Sequence, residues 1–290
     1  MAFQLKQEGF KLRDILEVVG IPEATYHYHV KNFDKEDPDT DLKELIVQQF
    51  ELYEERYGYK RITNELKKLG HCINHKKVYR IMRELGLKCV KFMRKSRKYN
   101  SYRGDVGKIA PNRLKRRFNT SIPLQKMVTD ITEFKCLKKN EKLYFNPILD
   151  LFNSEVIAYG IEKHPTLAVV MTPLIEAIDI INTRGTYRTT IHSDQGWHYQ
   201  HNKWVQTLKK NNIFQSMSRK ATCADNASME NFFGIMKQEM YYGEKLLSFE
   251  ELKEKIEEYV DWYNNKRSKK KLAGLSPVEY RTQSSQSAVY

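Results

Sequence analysis

Hydrophobic positions in the first 85 residues recur every three or four residues, which is the period of an amphipathic helix. In the segment 11–19 they fall at 12, 15, 16 and 19, and Gly20-Ile21-Pro22 then interrupts the pattern. Residues 1–33 are therefore predicted to form three short helices, with Pro22 in the first turn of the third. Two helices joined by a tight glycine turn have the outline of a helix-turn-helix, although a plain helical hairpin gives the same pattern.

The same outline occurs a second time further along the chain. An amphipathic helix is predicted over 41–57, a shorter one over 60–69, and a basic one over 74–85. Gly58 and Gly70 separate the three. A basic helix that follows a short turn is the expected form of a recognition helix, the helix that enters a DNA groove.

From residue 126 the pattern changes to that of β-strands. Three segments rich in β-forming residues follow one another with short polar connections, at KMVTDITEFKC, KLYFNPILDLF and EVIAYGIEK. A buried helix is predicted over 166–182, then a strand YRTTIHS, a helix over 199–210, a strand IFQS and a helix over 226–240. The order β-β-β-α-β-α-β-α predicts an α/β core with a mixed five-stranded sheet.

Positive charge is concentrated in the first part of the chain. The 290 residues carry a formal net charge of +14, and residues 1–125 hold 27 basic against 16 acidic side chains. Within 86–118 there are 12 basic residues and one acidic residue. We interpret 88–122 as an extended basic linker. Most such runs only solubilise a tether, but the interleaved Phe92, Tyr99 and Tyr102 favour contact with nucleic acid.

Composition also argues against several classes of protein. No apolar run reaches the roughly 18 residues that a membrane span needs. The N-terminal segment MAFQLKQEGFKLRD is too polar for a secretory signal. The four cysteines are scattered, which disfavours a disulfide framework and favours a reduced, intracellular protein.

Three carboxylates occupy positions that favour a metal site. Asp130 is predicted in the middle of the first strand, Asp194 just after the fourth, and Glu230 on the helix that follows. If the first and fourth strands are neighbours, both aspartates meet at one edge of the sheet, and a helix across that edge can deliver Glu230. Mg²⁺ takes oxygen ligands, and two such ions can promote phosphodiester displacement. Each carboxylate could equally be an ordinary surface, turn or helix residue. Three other acidic residues near them in sequence are alternative metal ligands: Glu133, Asp150 and Asp225.

The helix over 226–240 has two distinct faces. Met229, Phe232, Phe233, Met236 and Met240 mark the face predicted to be buried. Glu230, Gly234 and Lys237 lie on another face, with Lys237 about 10 Å beyond Glu230. Asp225 stands where it can cap this helix. A carboxylate and a lysine on one face suit metal binding beside a DNA strand.

The chain resembles a known family in four blocks that occur in order. They are HSDQG (192–196), SRKATCADNASMENFFGIMKQE (218–239), WYNNKR (262–267) and LSPVEY (275–280), with 35 residues between Asp194 and Glu230. This spacing is associated with the D,D-35-E class of transposases and retroviral integrases. The blocks resemble the OrfB product of bacterial insertion sequences, and the two N-terminal helical modules resemble that family's upstream segments.

The resemblance implies an RNase H-like integrase core that cleaves DNA strands and transfers them in a metal-dependent reaction. By position, Asp130, Asp194 and Glu230 are the catalytic and metal-binding triad, with Mg²⁺ as cofactor, Mn²⁺ as substitute, and two ions per site. Lys237 matches a lysine that contacts the element's end, and Asn226 with Asp225 supports the site. Ala221, in the loop before Glu230, and the lysines at 269 and 270 depart from the family pattern.

The implied partners are double-stranded DNA at the element's terminal inverted repeats and at the target, further copies of the chain in a dimer or higher assembly on that DNA, and an OrfA protein or OrfA–OrfB fusion. The implied location is the bacterial cytoplasm, at the nucleoid, with no membrane. The predicted DNA-contacting side chains are Thr25, Tyr26, His27, Lys76, Lys77, Arg80, Arg94, Lys95, Arg97, Lys98, Arg116, Arg117, Arg219, Lys220 and Lys237.

The predicted organisation has five parts. They are a helix-turn-helix module over 1–35, a second such module over 40–87, the linker over 88–122, the catalytic core over 123–245 and a C-terminal helical extension over 246–290. Two other functions remain open at this point. A DNA-binding regulator that has lost catalysis would share the fold, and so would an RNase H-like nuclease that cuts DNA without joining it.

Overall fold

The computed structural model describes residues 2–32, 37–89, 109–219 and 222–287. Twelve helices and six strands lie in these ranges. The N-terminal helices are α1 (Ala2–Gln7), α2 (Leu12–Val19), α3 (Glu23–Lys31), α4 (Thr40–Leu52), α5 (Tyr59–Lys68) and α6 (His75–Glu84). The strands are β1 (Lys126–Thr129), β2 (Thr132–Lys135), β3 (Lys142–Asp150), β4 (Val156–Glu162), β5 (Thr190–Ser193) and β6 (Phe214–Met217). The remaining helices are α7 (Ala168–Arg184), α8 (Trp197–Gln200), α9 (Asn202–Lys210), α10 (Ala227–Met240), α11 (Phe249–Asn265) and α12 (Pro277–Ser287).

Local sequence signals set several of these boundaries. Gly20 ends α2 in the left-handed conformation, with φ of 71°, and its N–H bonds the Leu16 carbonyl. Asn74 begins α6 by accepting a hydrogen bond from the Lys76 N–H at 2.9 Å. Ser248 and Glu251 form a reciprocal capping box at the start of α11. The predicted helix over 199–210 is divided into α8 and α9.

The sheet is mixed, as predicted, with the order β2-β3-β1-β5-β6 and with β4 on the other side of β3. β1, β5 and β6 run parallel, while β3 is antiparallel to β1, β2 and β4. It contains six strands because the first predicted strand is divided at Asp130 and Ile131. The register places Asp130 opposite Pro147. In an antiparallel pair of strands, every second pair of opposite residues is hydrogen-bonded. The Leu151 N–H donates to the Lys126 carbonyl, so the residue at 147 would have to donate its N–H to the Asp130 carbonyl. Proline has no N–H, so the ladder is interrupted there.

Helices cover both faces of the sheet. Val128, Phe145 and Leu149 point to the face covered by α10 and α11. Met127, Ile148 and Ile191 point to the face covered by α7 and α9. This alternation follows from the two-residue period of a strand, and it fixes which way Asp130 can project from the end of β1.

The segment 109–122, which is the last part of the predicted extended linker, packs against the core. Leu114 is buried in the core beneath α10, and the Arg113 N–H donates to Ser216 Oγ at 2.9 Å. These contacts help to fasten the segment along β6. Most of the linker, residues 90–108, lies outside the described residues.

The second N-terminal module has its own core and also packs on the catalytic part. Ile46, Ile62 and Ile81 lie at its centre, and Trp262 of α11 packs against it. The Tyr57 hydroxyl accepts the Ser268 N–H at 2.9 Å, which joins the module to the C-terminal segment. Within the described ranges, no helix is both long enough and apolar enough to cross a membrane.

Candidate active site

The pairing of β1 with β5 brings two of the predicted carboxylates together. Val128 is paired with His192 in a parallel register, so two residues later Asp130 stands beside Asp194. Both residues follow the carboxyl ends of their strands. The sequence-based expectation that the first and fourth strands are neighbours is therefore confirmed.

Each aspartate is held by one backbone N–H. Asp130 Oδ1 accepts from the Ile131 N–H at 2.8 Å, and Asp194 Oδ1 accepts from the Gly196 N–H at 2.8 Å. Burial, and then the neighbouring Asp194 carboxylate, raise the pKa of Asp130 well above its usual value. Burial likewise raises the pKa of Asp194. A bound cation would offset the repulsion between these two buried carboxylates.

α10 crosses this edge and carries the other two predicted groups. Its five predicted apolar residues are buried, whereas Glu230 is exposed on the side of the aspartates and adds to the negative field at Asp130. Lys237 Nζ donates to the Glu133 carbonyl at 3.1 Å and lies 5.0 Å from the centre of the Phe134 ring. Burial lowers the pKa of Lys237. The lysine therefore points toward the strand that follows Asp130.

Partners distinguish the three rivals from the triad. Glu133 is paired with Lys142 at 2.8 Å. The buried Asp150 accepts the N–H groups of Leu124 and Phe152, and burial raises its pKa to about 6. Asp225 is enclosed by two arginines, as described below. Among the described residues, by contrast, no cationic side chain forms an ion pair with Asp130, Asp194 or Glu230.

Asp225 does not cap α10 as predicted. Its buried carboxylate accepts hydrogen bonds from Arg219, Arg116 and Asn112, with Arg219 Nε at 2.9 Å and Arg116 Nε at 3.0 Å. Arg219 chiefly holds the pKa of this carboxyl well below its usual range. The guanidinium groups are stronger partners than a helix N–H, so Asp225 fastens the segment 112–116 to the start of α10.

Asn226 follows Asp225 and precedes Glu230 by about one turn. Its side chain is buried, and neither amide atom has a hydrogen-bond partner among the described residues. A buried amide without partners is costly, so its presence at this position is consistent with a supporting role beside the carboxylates.

The described residues contain no group of three or more His, Cys, Asp or Glu side chains close enough to hold a metal ion together. The two aspartates are adjacent, and Glu230 is on their side of α10 but turned toward solvent. The backbone arrangement that the sequence predicted is present, while the third side chain is not in ligand position.

The first N-terminal module corrects one predicted DNA contact. Tyr26 was expected to face outward, but it is only 7% exposed, because α3 packs on α2 through the side that carries it. Tyr28 is 66% exposed instead. His27 is exposed and Thr25 is half-buried, so both are still accessible to a ligand.

The other predicted DNA contacts have mixed environments. Lys77 and Arg80 are both paired with Asp39, Arg80 Nη2 at 2.6 Å, while Lys76 is exposed. Arg117 is exposed, and Arg116 and Arg219 are bound to Asp225 but remain more than half exposed. Five predicted contacts lie outside the described residues: Arg94, Lys95, Arg97, Lys98 and Lys220.

Sequence reasoning missed two groups that position the site. Gly196 supplies the N–H that holds Asp194, and a Cβ at this position would lie 2.9 Å from Asp194 Oδ1. Glu239 lies fully buried on α10 and binds Arg267 through two hydrogen bonds of 2.8 and 2.6 Å. Gly196 is part of the HSDQG block, but the sequence does not indicate its role. Only the fold shows that the position beside the Asp194 carboxylate leaves no room for a Cβ atom.

Comparison with known proteins agrees with this arrangement. Two family models described as integrase core domain match residues 120–223 and 230–284, and one described as HTH-like domain matches residues 36–96. The putative transposase InsK for insertion sequence element IS150 of Escherichia coli is 42% identical over 277 residues, covering 96% of this chain and 95% of InsK. An uncharacterized transposase-like protein of Haemophilus influenzae is 48% identical, covering 73% of this chain and 94% of that protein.

The transposase InsF for insertion sequence IS3A of Escherichia coli is 31% identical over 240 residues, covering 81% of this chain and 80% of InsF. The integrase core and the HTH-like domain thus occur in the order that the resemblance implied. The predicted α/β fold with an integrase-like core is confirmed. With near full-length identity to the IS150 protein, the chain belongs to the OrfB-type insertion-sequence transposases of the IS3 and IS150 kind, which are DDE enzymes with an RNase H-like catalytic core.

Proposed function

We propose that this transposase cleaves and joins DNA strands at the ends of its element with Asp130, Asp194 and Glu230 as the catalytic carboxylates. The observation that carries the proposal is the parallel register of β1 on β5, which sets two carboxylates side by side with no cationic partner among the described residues. The three rival acids are all partnered. Unpaired carboxylates at close quarters are unfavourable unless a cation joins them.

The donor set fits a hard divalent ion. It consists only of carboxylate oxygens, and one oxygen of each aspartate remains without a hydrogen bond from the described residues. We propose Mg²⁺, replaceable by Mn²⁺, with two ions per site. Such ions, when bound, activate the attacking oxygen and neutralise charge on the leaving one. Glu230 completes the set by rotation of its exposed side chain.

The chain's own residues contribute position and charge. The N–H groups of Ile131 and Gly196 each hold one aspartate oxygen and so direct the other toward the ligand. Lys237 lies along the same edge and is suited to contact a phosphate of the bound strand. Holding the reacting groups in line lowers the entropic part of the barrier, and no covalent protein intermediate is needed.

Binding of DNA is assigned to the helical modules and to the basic side chains around α10. In this proposal the exposed His27, Lys76 and Arg117 contact phosphates, together with the linker residues. Synapsis of two ends requires at least two copies of the chain on DNA. We further propose that the chain acts on nucleoid DNA in the bacterial cytoplasm, with an OrfA product as partner or fusion.

The test is a strand-joining assay with a duplex that carries the element's terminal inverted repeat and with Mg²⁺ or Mn²⁺. Asp130→Asn, Asp194→Asn and Glu230→Gln are each expected to lower joining by at least about a hundredfold. Glu133→Gln is the matched control, because it removes a nearby carboxylate that is exposed and paired with Lys142. Full activity in any triad variant would refute the assignment, and cleavage without joining would favour the nuclease.

A further inference from the structure

A cleft of about 410 Å³ lies beside the edge strand β6, between α9 and the segment 109–113. Its wall is apolar, formed by Pro111, Leu208 and Phe214, and three cationic side chains line it: Arg113, Arg188 and Lys209. Among the residues that the structure describes, no acidic side chain lines the cleft. The proposed triad does not line this cleft, and neither do those predicted DNA contacts that the structure describes.

Two arginines in the cleft share one aromatic ring. The guanidinium carbon of Arg188 lies 3.5 Å from the centre of the Phe214 ring, and that of Arg113 lies 4.3 Å from it. Arg188 Nε donates to the Asn212 carbonyl at 2.8 Å, which holds this guanidinium in place. The Arg113 backbone N–H donates to Ser216 Oγ, which fixes the point from which that side chain extends. In the ranges that the structure describes, neither guanidinium forms an ion pair. The two positive charges repel each other, and anions bound to the guanidinium groups would offset this repulsion.

We propose that this cleft binds the phosphate backbone of the element's DNA end, upstream of the catalytic carboxylates. The inference rests on the proposed function. Each guanidinium takes one of two neighbouring phosphates, which suits the planar fork of arginine, and Lys209 adds a third positive charge. The apolar wall excludes water from one side of these contacts and so strengthens them.

The position of the cleft relative to the carboxylates supports this path. β6 runs parallel to β5, with Phe214 paired to Thr190 and Met217 to Ser193. Phe214 thus lies about four residues, or roughly 13 Å, before the edge where Asp194 projects. That distance corresponds to roughly four nucleotides of rise along one DNA strand. Arg116, three residues after Arg113, forms an ion pair with Asp225 just before α10 and remains half exposed. Basic side chains therefore extend from the cleft toward the carboxylates.

Charge complementarity selects the occupant. The basic stretch that precedes Ile109 in the chain has the same sign as the cleft and cannot neutralise it. The HTH-like match ends at residue 96, so only 12 residues of sequence separate it from Ile109 at the cleft. We therefore assign the cleft to the element's end and not to the target.

The first test compares two double variants of the full chain in a binding assay with a mixed-sequence duplex, in EDTA, over a range of NaCl concentrations. Arg113→Gln/Arg188→Gln is expected to make the slope of log K against log[NaCl] less steep by about 2, because two phosphates are no longer bound. Arg184→Gln/Lys203→Gln removes the same charge from exposed positions outside the cleft and is expected to leave the slope nearly unchanged. Equal slopes for the two variants would overturn the proposal. Because no metal is present, this result does not depend on the triad assignment.

The second test separates the two possible DNA molecules. In the joining assay, the cleft variant is expected to raise the KM for the end duplex about tenfold or more and to leave the KM for the target unchanged. A rise only for the target would overturn the assignment to the end. Arg113→Lys/Arg188→Lys, which keeps the charge, is expected to retain most of the salt slope. If the cleft variant changes the oligomeric mass of the protein in the absence of DNA and leaves the slope of log K against log[NaCl] unchanged, the cleft joins two copies of the chain, and the proposal is overturned.

Discussion

Arg61 of the HTH-like module lies with its Nη1 atom 3.4 Å from the carboxylate of Glu239, on the same helix that carries Glu230. Glu239 also binds Arg267 and accepts the Tyr259 hydroxyl at 2.8 Å. Burial opposes its ionisation, but Arg267 and the other partners hold the pKa of Glu239 below its ordinary value. One buried carboxylate thus ties together the HTH-like module, the C-terminal segment and α10.

Loss of this carboxylate is expected to be costly. Glu239→Gln leaves Arg267, which is 2% exposed, as a buried charge without its anion, and breaking such a pair typically costs about 3–5 kcal/mol. Urea denaturation of the full chain measures this directly. The double variant Glu239→Gln/Arg267→Met is expected to recover a large part of the loss. Arg61→Gln should cost less, because that side chain is 26% exposed. A loss below about 1 kcal/mol for Glu239→Gln would contradict the network.

Gly196 and Gly234 offer a matched pair beside the site. Gly196→Ala would place a Cβ 2.9 Å from Asp194 Oδ1 and so displace the carboxylate, whereas a Cβ at Gly234 meets nothing within 4 Å. Gly196→Ala is expected to lower strand joining by about tenfold to a hundredfold with little change in stability. Gly234→Ala should keep activity and stabilise the helix by about 0.5–1 kcal/mol. Strand-joining rates of both variants test the effect on activity, and their thermal unfolding midpoints test the effect on stability. Equal joining rates would count against the role of Gly196 in positioning Asp194.

Lys269 makes stability depend on pH in the neutral to alkaline range. Burial lowers its pKa to about 7, with a further contribution from Arg267, and its Nζ atom donates to the Tyr263 hydroxyl at 2.7 Å. Between this value and the ordinary value of about 10.4, the unfolded chain binds more protons than the folded one, so the free energy of unfolding rises with pH. Below pH 7 the full cost of burying the charge is present.

Lys269→Met is therefore expected to stabilise the chain at pH 7 and to flatten the profile of stability between pH 7 and 10. Urea midpoints at several pH values measure this. Lys270→Met, one residue further on, is the control and should leave the profile as it is. A wild-type profile that falls with pH throughout that range would show that another group dominates.

Tyr26 and Tyr28 separate folding from binding in the first module. Tyr26→Ala is expected to cost about 3 kcal/mol or somewhat more in the stability of the module, because the ring is buried. Tyr28→Ala should leave stability nearly unchanged and weaken DNA binding, since this ring is exposed beside His27 and His29. Circular dichroism and a duplex binding assay distinguish the two effects. Equal binding losses at equal stability would place both rings on the DNA surface.

The sequence predicted the features that depend on local pattern. The order of most strands and helices along the chain and the buried face of α10 follow from periodicity, and the meeting of Asp130 with Asp194 follows from one assumption about neighbouring strands. The features it did not predict depend on contacts distant in sequence. Asp225 has Arg116 as a partner 109 residues away, and Leu114 anchors a segment whose composition alone indicates a tether. Helix α3 has only nine residues, which is too short for its hydrophobic pattern to show which tyrosine faces inward.

Pro147 has a consequence for the strength of the sheet. It stands in a central strand, opposite Asp130, where a different residue would add one more hydrogen bond to the ladder. The chain is therefore less regular, and less resistant to unfolding, at the point where Asp130, the first of the proposed catalytic carboxylates, leaves the strand. A more uniform sheet would hold that aspartate in the flat geometry of an ordinary strand, so here maximal stability and a reactive arrangement are competing demands on the same few residues.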